Sequence, residues 1–217
     1  MRSRDVLGRI RRRLARAGVD PPDELLSGLE AYLSLLTLWN RKINLTALPL
    51  EPLGDDAVDR LIVEPVVAAR EIRSNNRIMV DIGSGGGSPA VPLRLAAPSL
   101  RLVMIESKVR KSAFLREVIR QLRLDEASVE NARFEELLTR PDLHEVADVV
   151  TLRAVRAEPR LWTGIQAFLR RDGRVFWFGS GREPGKQQSL IMPFATKYDR
   201  LLCKATGSIL TVMEAKK

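Results

Sequence analysis

Asp81, Gly83, Gly85 and Gly87 recur at every second position just after the apolar run Ile78–Ile82, and Pro89 follows where a helix could begin. A buried strand feeding a tight turn and a helix N-terminus has this pattern. Glycine accepts positive φ and lets a ligand approach the backbone closely; proline suits a first helical position. The chemistry expected is a floor of backbone donors under a small polar cofactor, with Asp81, Gly83, Ser84, Gly85, Gly87 and Ser88 around it. A second apolar run, Leu100–Ile105, ends in Glu106. A carboxylate there can accept both hydroxyls of a ribose, at about 1.5–3 kcal/mol per charge-assisted bond.

Two cofactor classes meet these requirements. Gly85, Gly87 and Ala90 approximate the G-x-G-x-x-A turn of a dinucleotide site. The register Asp81-x-Gly83-x-Gly85-x-Gly87 instead resembles the first motif of class I S-adenosylmethionine (SAM) methyltransferases, in which no pyrophosphate is bound. A nicotinamide-dependent oxidoreductase therefore stays open as an alternative at this point.

The elements that must position these residues follow from periodicity. Strands are expected near 77–82, 101–105, 127–131, 147–152 and 173–178, with helices near 89–97, 108–124 and 158–170. Alternation of this kind implies a mostly parallel sheet covered on both faces. Leu201–Cys203 and Ile209–Met213 flank Ala205-Thr206-Gly207-Ser208 and read as a closing antiparallel hairpin, an ending that favours the SAM fold over a dinucleotide-binding half. Residues 1–73 are expected to form a helical extension on a 74–217 cofactor-binding domain. Within the extension, 5–17 reads as a basic helix, mobile without a partner. Asp20 and Pro21 look like the N-cap and first position of a second helix, whose stripe Leu25, Leu29, Tyr32, Leu33, Leu36, Trp39, Ile43 is a core face. A third helix, 55–73, should kink or end its first half at Pro65.

A chain of 217 residues suits one α/β domain with a small extension. No apolar run approaches a membrane span, and a single cysteine, Cys203, fits a reducing compartment, hence the cytoplasm. The net charge of +9 is clustered. Residues 1–19 hold seven arginines against Asp5. The helix after Glu106 carries Lys108, Arg110, Lys111, Arg116, Arg120 and Arg123 against Glu117, and Arg153, Arg156 and Arg160 form a third group. Each cluster could be a solvated face; together they point to a polyanion.

Several ordered segments resemble the GidB (RsmG) family of guanine-N7 methyltransferases of bacterial small-subunit ribosomal RNA. These are Leu38-Trp39-Asn40-Arg41-Lys42-Ile43-Asn44-Leu45-Thr46, the run Asp81–Pro89 continued through Val91-Pro92-Leu93, Ile105-Glu106-Ser107-Lys108, Ala132-Arg133-Phe134-Glu135-Glu136, and Leu152-Arg153-Ala154-Val155. The resemblance implies a Rossmann-like, mostly parallel seven-stranded sheet with an antiparallel C-terminal hairpin, SAM as cofactor, and ribosomal RNA or the small subunit as partner. It also implies that Gly83 and Gly85 lie against the methionine part, with Ser88 lining that loop. Glu106 and Ser107 would lie at the ribose, Phe134 and Glu135 would frame the adenine, and Arg153 would face the methyl-transfer pocket.

This chain departs from the family pattern in four places. A histidine and an Asp-Ser pair are missing from Arg60-Leu61-Ile62-Val63-Glu64-Pro65, and Pro89-Ala90 replaces Pro-Gly. Arg156 replaces a small residue, and no Lys-Gly follows the fifth strand. These changes touch the substrate side more than the cofactor floor. A SAM-binding paralogue with another acceptor, or an inactive RNA-binding or assembly module, is therefore the second reading. Guanine N7 carries a free lone pair, so methylation there needs no general base. That agrees with a chain whose only histidine, His144, and only cysteine are poorly placed for catalysis or for holding a metal.

Overall fold

A computed structural model describes residues 3–155, 158–180 and 193–215. Arg2 and Arg156, and most of the segment that follows the fifth strand, lie outside them. Two helices come first, α1 (Ser3–Arg16) and α2 (Asp23–Asn40). A broken helical rod follows: α3 (Asp55–Val58), a π-helical turn (Asp59–Val63), α4 (Glu64–Ala68) and a 3-10 turn (Ala69–Glu71). The remainder alternates β1 (Ile78–Ile82), α5 (Ala90–Ala96), β2 (Arg101–Ile105), α6 (Val109–Leu122), β3 (Ala127–Glu130), α7 (Phe134–Leu137), β4 (Ala147–Arg153), α8 (Pro159–Phe168) and β5 (Leu169–Ser180), then β6 (Phe194–Cys203) and β7 (Ser208–Ala215).

The strands form one seven-stranded sheet in the order β3-β2-β1-β4-β5-β7-β6. β1 to β5 are mutually parallel; β7 pairs antiparallel with β5, and β6 antiparallel with β7. The parallel core with its terminal hairpin is the architecture expected from the sequence. Strand order reverses between β1 and β4, so the carboxyl ends of these two strands border the crevice where open α/β sheets take ligands.

Period-2 alternation divides the core between two faces. Leu102 and Met104 of β2 point to a layer shared with α1, α2, α5 and α6, whereas Val103 and Ile105 point to the layer of α7 and α8. The N-terminal helices are thus part of the first layer. Val6, Ile10 and Leu14 form a buried stripe at i, i+4, i+8, each contributing about 1.5–3 kcal/mol. That stripe docks a helix expected to be mobile, and Arg9, Arg11 and Arg13 of the same helix bond to Asp55, Asp23 and Asp59.

Other expectations require correction. Asp20 does not cap α2: the helix starts at Asp23, with Pro22 at the N-cap and no side-chain cap. Pro22 already blocks helical φ,ψ at the residue before it, which moves the start past both prolines. β5 begins at Leu169, straight after α8, and not at residue 173. Gly173 permits this, since a Cβ there would stand 2.8 Å from the Ala147 carbonyl. Pro65 breaks the rod as expected, and the break takes the form of a π-turn directly before it.

Candidate active site

The glycine turn lies at the carboxyl end of β1. Gly83, Gly85 and Gly87 all have positive φ, at 75°, 52° and 84°, a region costly to side chains with a Cβ. The turn is exposed at Gly83 and closes downward on the N-terminal helices. The Tyr32 hydroxyl donates to the Gly86 carbonyl at 2.6 Å. The Asn40 side chain accepts from the Leu45 and Thr46 amides at 2.9 and 3.0 Å, and the loop so folded lays the Leu45 carbonyl against Gly86. Tyr32 and Trp39, expected as packing residues, are packed: Tyr32 is fully buried, and Trp39 meets Phe114 with ring centroids 5.7 Å apart.

Four amides of the expected donor floor, those of Gly83, Ser84, Gly85 and Gly87, already have partners within the protein. Gly83 and Ser84 donate to the Ile105 carbonyl at 2.9 and 3.1 Å, and Gly87 donates to the Ser84 carbonyl at 2.7 Å. Gly85 donates to Glu106 Oε2 at 2.9 Å. The Ser84 hydroxyl is turned inward to the Asp81 carbonyl. Closing the turn on itself and onto the end of β2 engages these groups.

Two carboxylates lie at the turn, one buried beneath it and one beside it. Asp81 is 1% exposed; Oδ1 accepts from Thr151 at 2.5 Å, whereas Oδ2 is buried without a partner. Burial pushes its pKa up to about 6, against the lowering effect of the Thr151 hydroxyl. Glu106, at the end of β2, faces the turn, with Oε1 accepting from the Lys108 amide at 2.7 Å and Oε2 from Gly85. Each carboxylate oxygen has two lone-pair directions, so acceptor capacity remains on both. Its backbone is fixed by Ser112 and Asn131, which both donate to the Glu106 carbonyl at 2.9 Å. Ser107 is exposed beside it. Phe134, half-buried at the start of α7, lies so close to Gly164 of α8 that a Cβ there would come within 2.7 Å of its ring; Glu135 is exposed.

Ser88 and Arg153 turn away from the glycine turn, toward the broken rod. In the π-turn the Glu64 amide donates to the Asp59 carbonyl, and Pro65 has no N–H; the carbonyls of Arg60 and Leu61 both lose the partner that a regular helix would give. Ser88 Oγ donates to Leu61 O at 3.0 Å, and the Arg153 guanidinium donates to Arg60 O. Arg153 also pairs with Glu64 at 2.8 Å and lies 4.7 Å over the Phe178 ring. Glu64, 2% exposed, is met on its other oxygen by Thr206 of the β6–β7 turn at 3.0 Å. Ala154 then turns the chain at φ 55°, and Val155 comes within 3.1 Å of the position a Gly83 Cβ would take. A cavity of about 260 Å³ opens at this corner, walled by Arg153, Glu64, Trp177, Phe178 and Ser208.

The family described as GidB, rRNA small subunit methyltransferase G, matches residues 25–188. The chain belongs to this family. Among curated GidB-type relatives, the ribosomal RNA small subunit methyltransferase G of Acetivibrio thermocellus is 31% identical over 156 residues, covering 72% of this chain and 63% of that one. The Xylella fastidiosa protein of the same name is 40% identical over 111 residues, half of this chain and 49% of that one. The match therefore spans from about half to just under two thirds of these relatives. The crystal structure of M. jannaschii TYW2 in complex with AdoMet shares the fold, with TM-score 0.56, 17% identity, and coverage of 81% of this chain and 78% of that one. The GidB-like segments of the sequence now have physical roles: Asn40 to Thr46 buttresses the turn, and Arg153-Ala154-Val155 joins the turn to the rod.

Sequence reasoning missed Glu64, Thr151, Ser112 and Asn131. Glu64 carries a signal, an acid in an otherwise apolar run next to a proline. Thr151 and Asn131 are ordinary polar residues whose importance comes from neighbouring strands, and Ser112 reaches the Glu106 carbonyl from the first turn of α6.

Proposed function

We propose that this chain is a SAM-dependent methyltransferase that modifies guanine N7 of small-subunit ribosomal RNA in the cytoplasm. Membership of the GidB family supports the activity. One observation supports the cofactor: the amides of Gly83, Ser84, Gly85 and Gly87 already have partners within the protein, and a partnerless buried carboxylate oxygen lies beneath the turn. A dinucleotide pyrophosphate needs free N–H groups at such a turn. A sulfonium amino acid carries positive charge and suits Asp81 Oδ2 and the Glu106 carboxylate.

The residues present fit that cofactor. Gly83 and Gly85 would admit its methionine part, Asp81 would complement its positive charge, Glu106 would accept from its ribose hydroxyls beside Ser107, and Phe134 with Glu135 would border its adenine. When bound, SAM supplies an electrophilic methyl group. The chain's own task is alignment, which can lower a barrier by roughly 7–11 kcal/mol in well-oriented cases, and support of the charge that appears on the methylated base. At the corner cavity the Trp177 ring would favour a cationic base, the Phe178 face being taken by Arg153. Glu64 neutralises Arg153, so the guanidinium does not oppose that charge. Arg153 acts here by shaping the pocket. No group among the described residues has to remove a proton, because N7 has none.

A thermal-shift comparison of SAM, S-adenosylhomocysteine and NAD tests the cofactor: the first two should stabilise the protein and NAD should not. Ribosomal RNA from a strain lacking the gene tests the acceptor, with loss of one 7-methylguanosine expected. Engagement of the Arg153 guanidinium by Glu64 and Arg60 favours the second reading, a SAM-binding relative with another acceptor. Unchanged rRNA methylation alongside SAM stabilisation would establish that reading instead.

A further inference from the structure

A cavity of about 710 Å³ lies behind the broken rod, between α1, the rod and the edge strand β6. Its walls carry Arg13, Arg16, Arg70, Arg200 and Lys204 against Asp59 and Glu71. The carboxylates are already used: Asp59 pairs with Arg13, and Glu71 with Arg200 at 2.9 Å. Three cations therefore remain without a carboxylate among the described residues. Arg70 spends one donor on the Gly18 carbonyl, while Arg16 and Lys204 are exposed with no polar partner among the described residues. The floor is apolar, from Val63, Val67 and Leu202, and Leu201 stands 51% exposed on the rim. A space of this size, with a surplus of cations at its mouth and an apolar floor, suits a phosphate-bearing group attached to something flat and weakly polar.

Two of its walls are shared with the corner cavity at Arg153. The π-turn supplies Asp59 and Val63 to the large cavity, and its Arg60, with the adjoining Glu64, to the corner. The β6–β7 turn supplies Cys203, Lys204 and Ala205 to the large cavity, while Ser208 lines the corner and Thr206 bonds to Glu64 there. One turn of helix and one hairpin thus separate the two openings. We propose that the large cavity is a phosphodiester-docking site for the single-stranded RNA that flanks the acceptor nucleotide. Arg16, Arg70 and Lys204 would grip the backbone, and Leu201 would support a neighbouring base. This rests on the reading of the chain as an RNA methyltransferase, and it assigns that enzyme a second contact outside the acceptor pocket.

The test uses the full chain and a fluorescein-labelled oligouridylate, without cofactor, so that it reads independently of SAM binding. Arg16→Ala/Lys204→Ala is compared with Arg101→Ala/Arg171→Ala, an equal loss of charge at exposed positions remote from both cavities. The first pair should weaken binding about tenfold at low salt and flatten the slope of log K against log salt by about 1.4, two single-strand phosphate contacts at about 0.7 each; the control pair should change neither appreciably. With rRNA as substrate, KM should rise about tenfold with kcat within about twofold of the parent. Equal losses in both pairs would overturn the site, since they would report net charge alone. Displacement of the oligonucleotide by micromolar adenosine monophosphate would also overturn it, in favour of a free nucleotide. Failure of SAM to stabilise the parent protein would strike the methyltransferase reading and leave the oligonucleotide result standing.

Discussion

The glycine turn and the Arg153 corner are both signalled by short motifs, yet their side chains are used in opposite ways. At the turn, four backbone amides are satisfied internally and carboxylate capacity is left over: one oxygen of Asp81 and the outer lone pairs of Glu106. At the corner the conspicuous charge is spent, with Arg153 held by Glu64, the Arg60 carbonyl and the Phe178 face. A motif residue can serve a ligand or serve the fold, and its bonding partners tell which. The turn recruits; the corner braces.

Glu106→Ala should break this contrast most severely. It removes the acceptor proposed for two ribose hydroxyls, about 1.5–3 kcal/mol each, so SAM affinity measured by calorimetry should fall at least about 100-fold. An unchanged affinity would mean that Glu106 serves only Gly85 and Lys108. At the corner the effect should instead fall on stability. Arg153→Met strands the buried Glu64 and should cost about 3–5 kcal/mol in urea unfolding, with much of it restored by adding Glu64→Leu. If Arg153→Met abolished methylation at undiminished stability, the bracing role would be wrong.

Asp81 sharpens the turn's side of the contrast through pH. A bound cation favours the ionised carboxyl, and burial holds its pKa at about 6. SAM affinity should therefore be about tenfold weaker at pH 5 than at pH 8, one pH unit below this pKa leaving about a tenth ionised, and Asp81→Asn should flatten the profile. For the free protein the sign reverses. A raised carboxyl pKa means that the folded state holds the proton more tightly, so this group's contribution to stability declines as pH climbs from about 4 to 6. The smallest effect should come from Tyr32→Phe, which removes the bond to Gly86 and should lower stability by about 1 kcal/mol, with a few-fold loss in SAM affinity.

Much of the architecture is legible in the sequence because each piece has a local cause. Ile78–Ile82 ends in glycines that permit the turn, Glu106 closes the next strand, and Gly207 at φ 64° lets β6 turn into β7. The resemblance to the GidB family likewise rests on ordered local segments. The fate of Ser88 and Arg153 is not legible, because it depends on carbonyls freed by the π-turn and Pro65 more than twenty residues upstream, and no periodicity links the two stretches. The partners of the turn's amides are hidden for a related reason: Gly83 and Ser84 donate to Ile105 and Gly85 to Glu106, both brought in by the neighbouring strand. The cationic cavity was invisible too, since it gathers Arg16, Arg70 and Lys204 from three distant parts of the chain.

The hydroxyl of Tyr32 resting on Gly86 carries one more implication. A small molecule that tightens the loop above would also steady the helix beneath it, because opening either breaks the same link. Amide hydrogens along α2, well away from any ligand, should exchange with deuterium more slowly once the crevice is filled. The first forty residues would then report occupancy without touching the occupant.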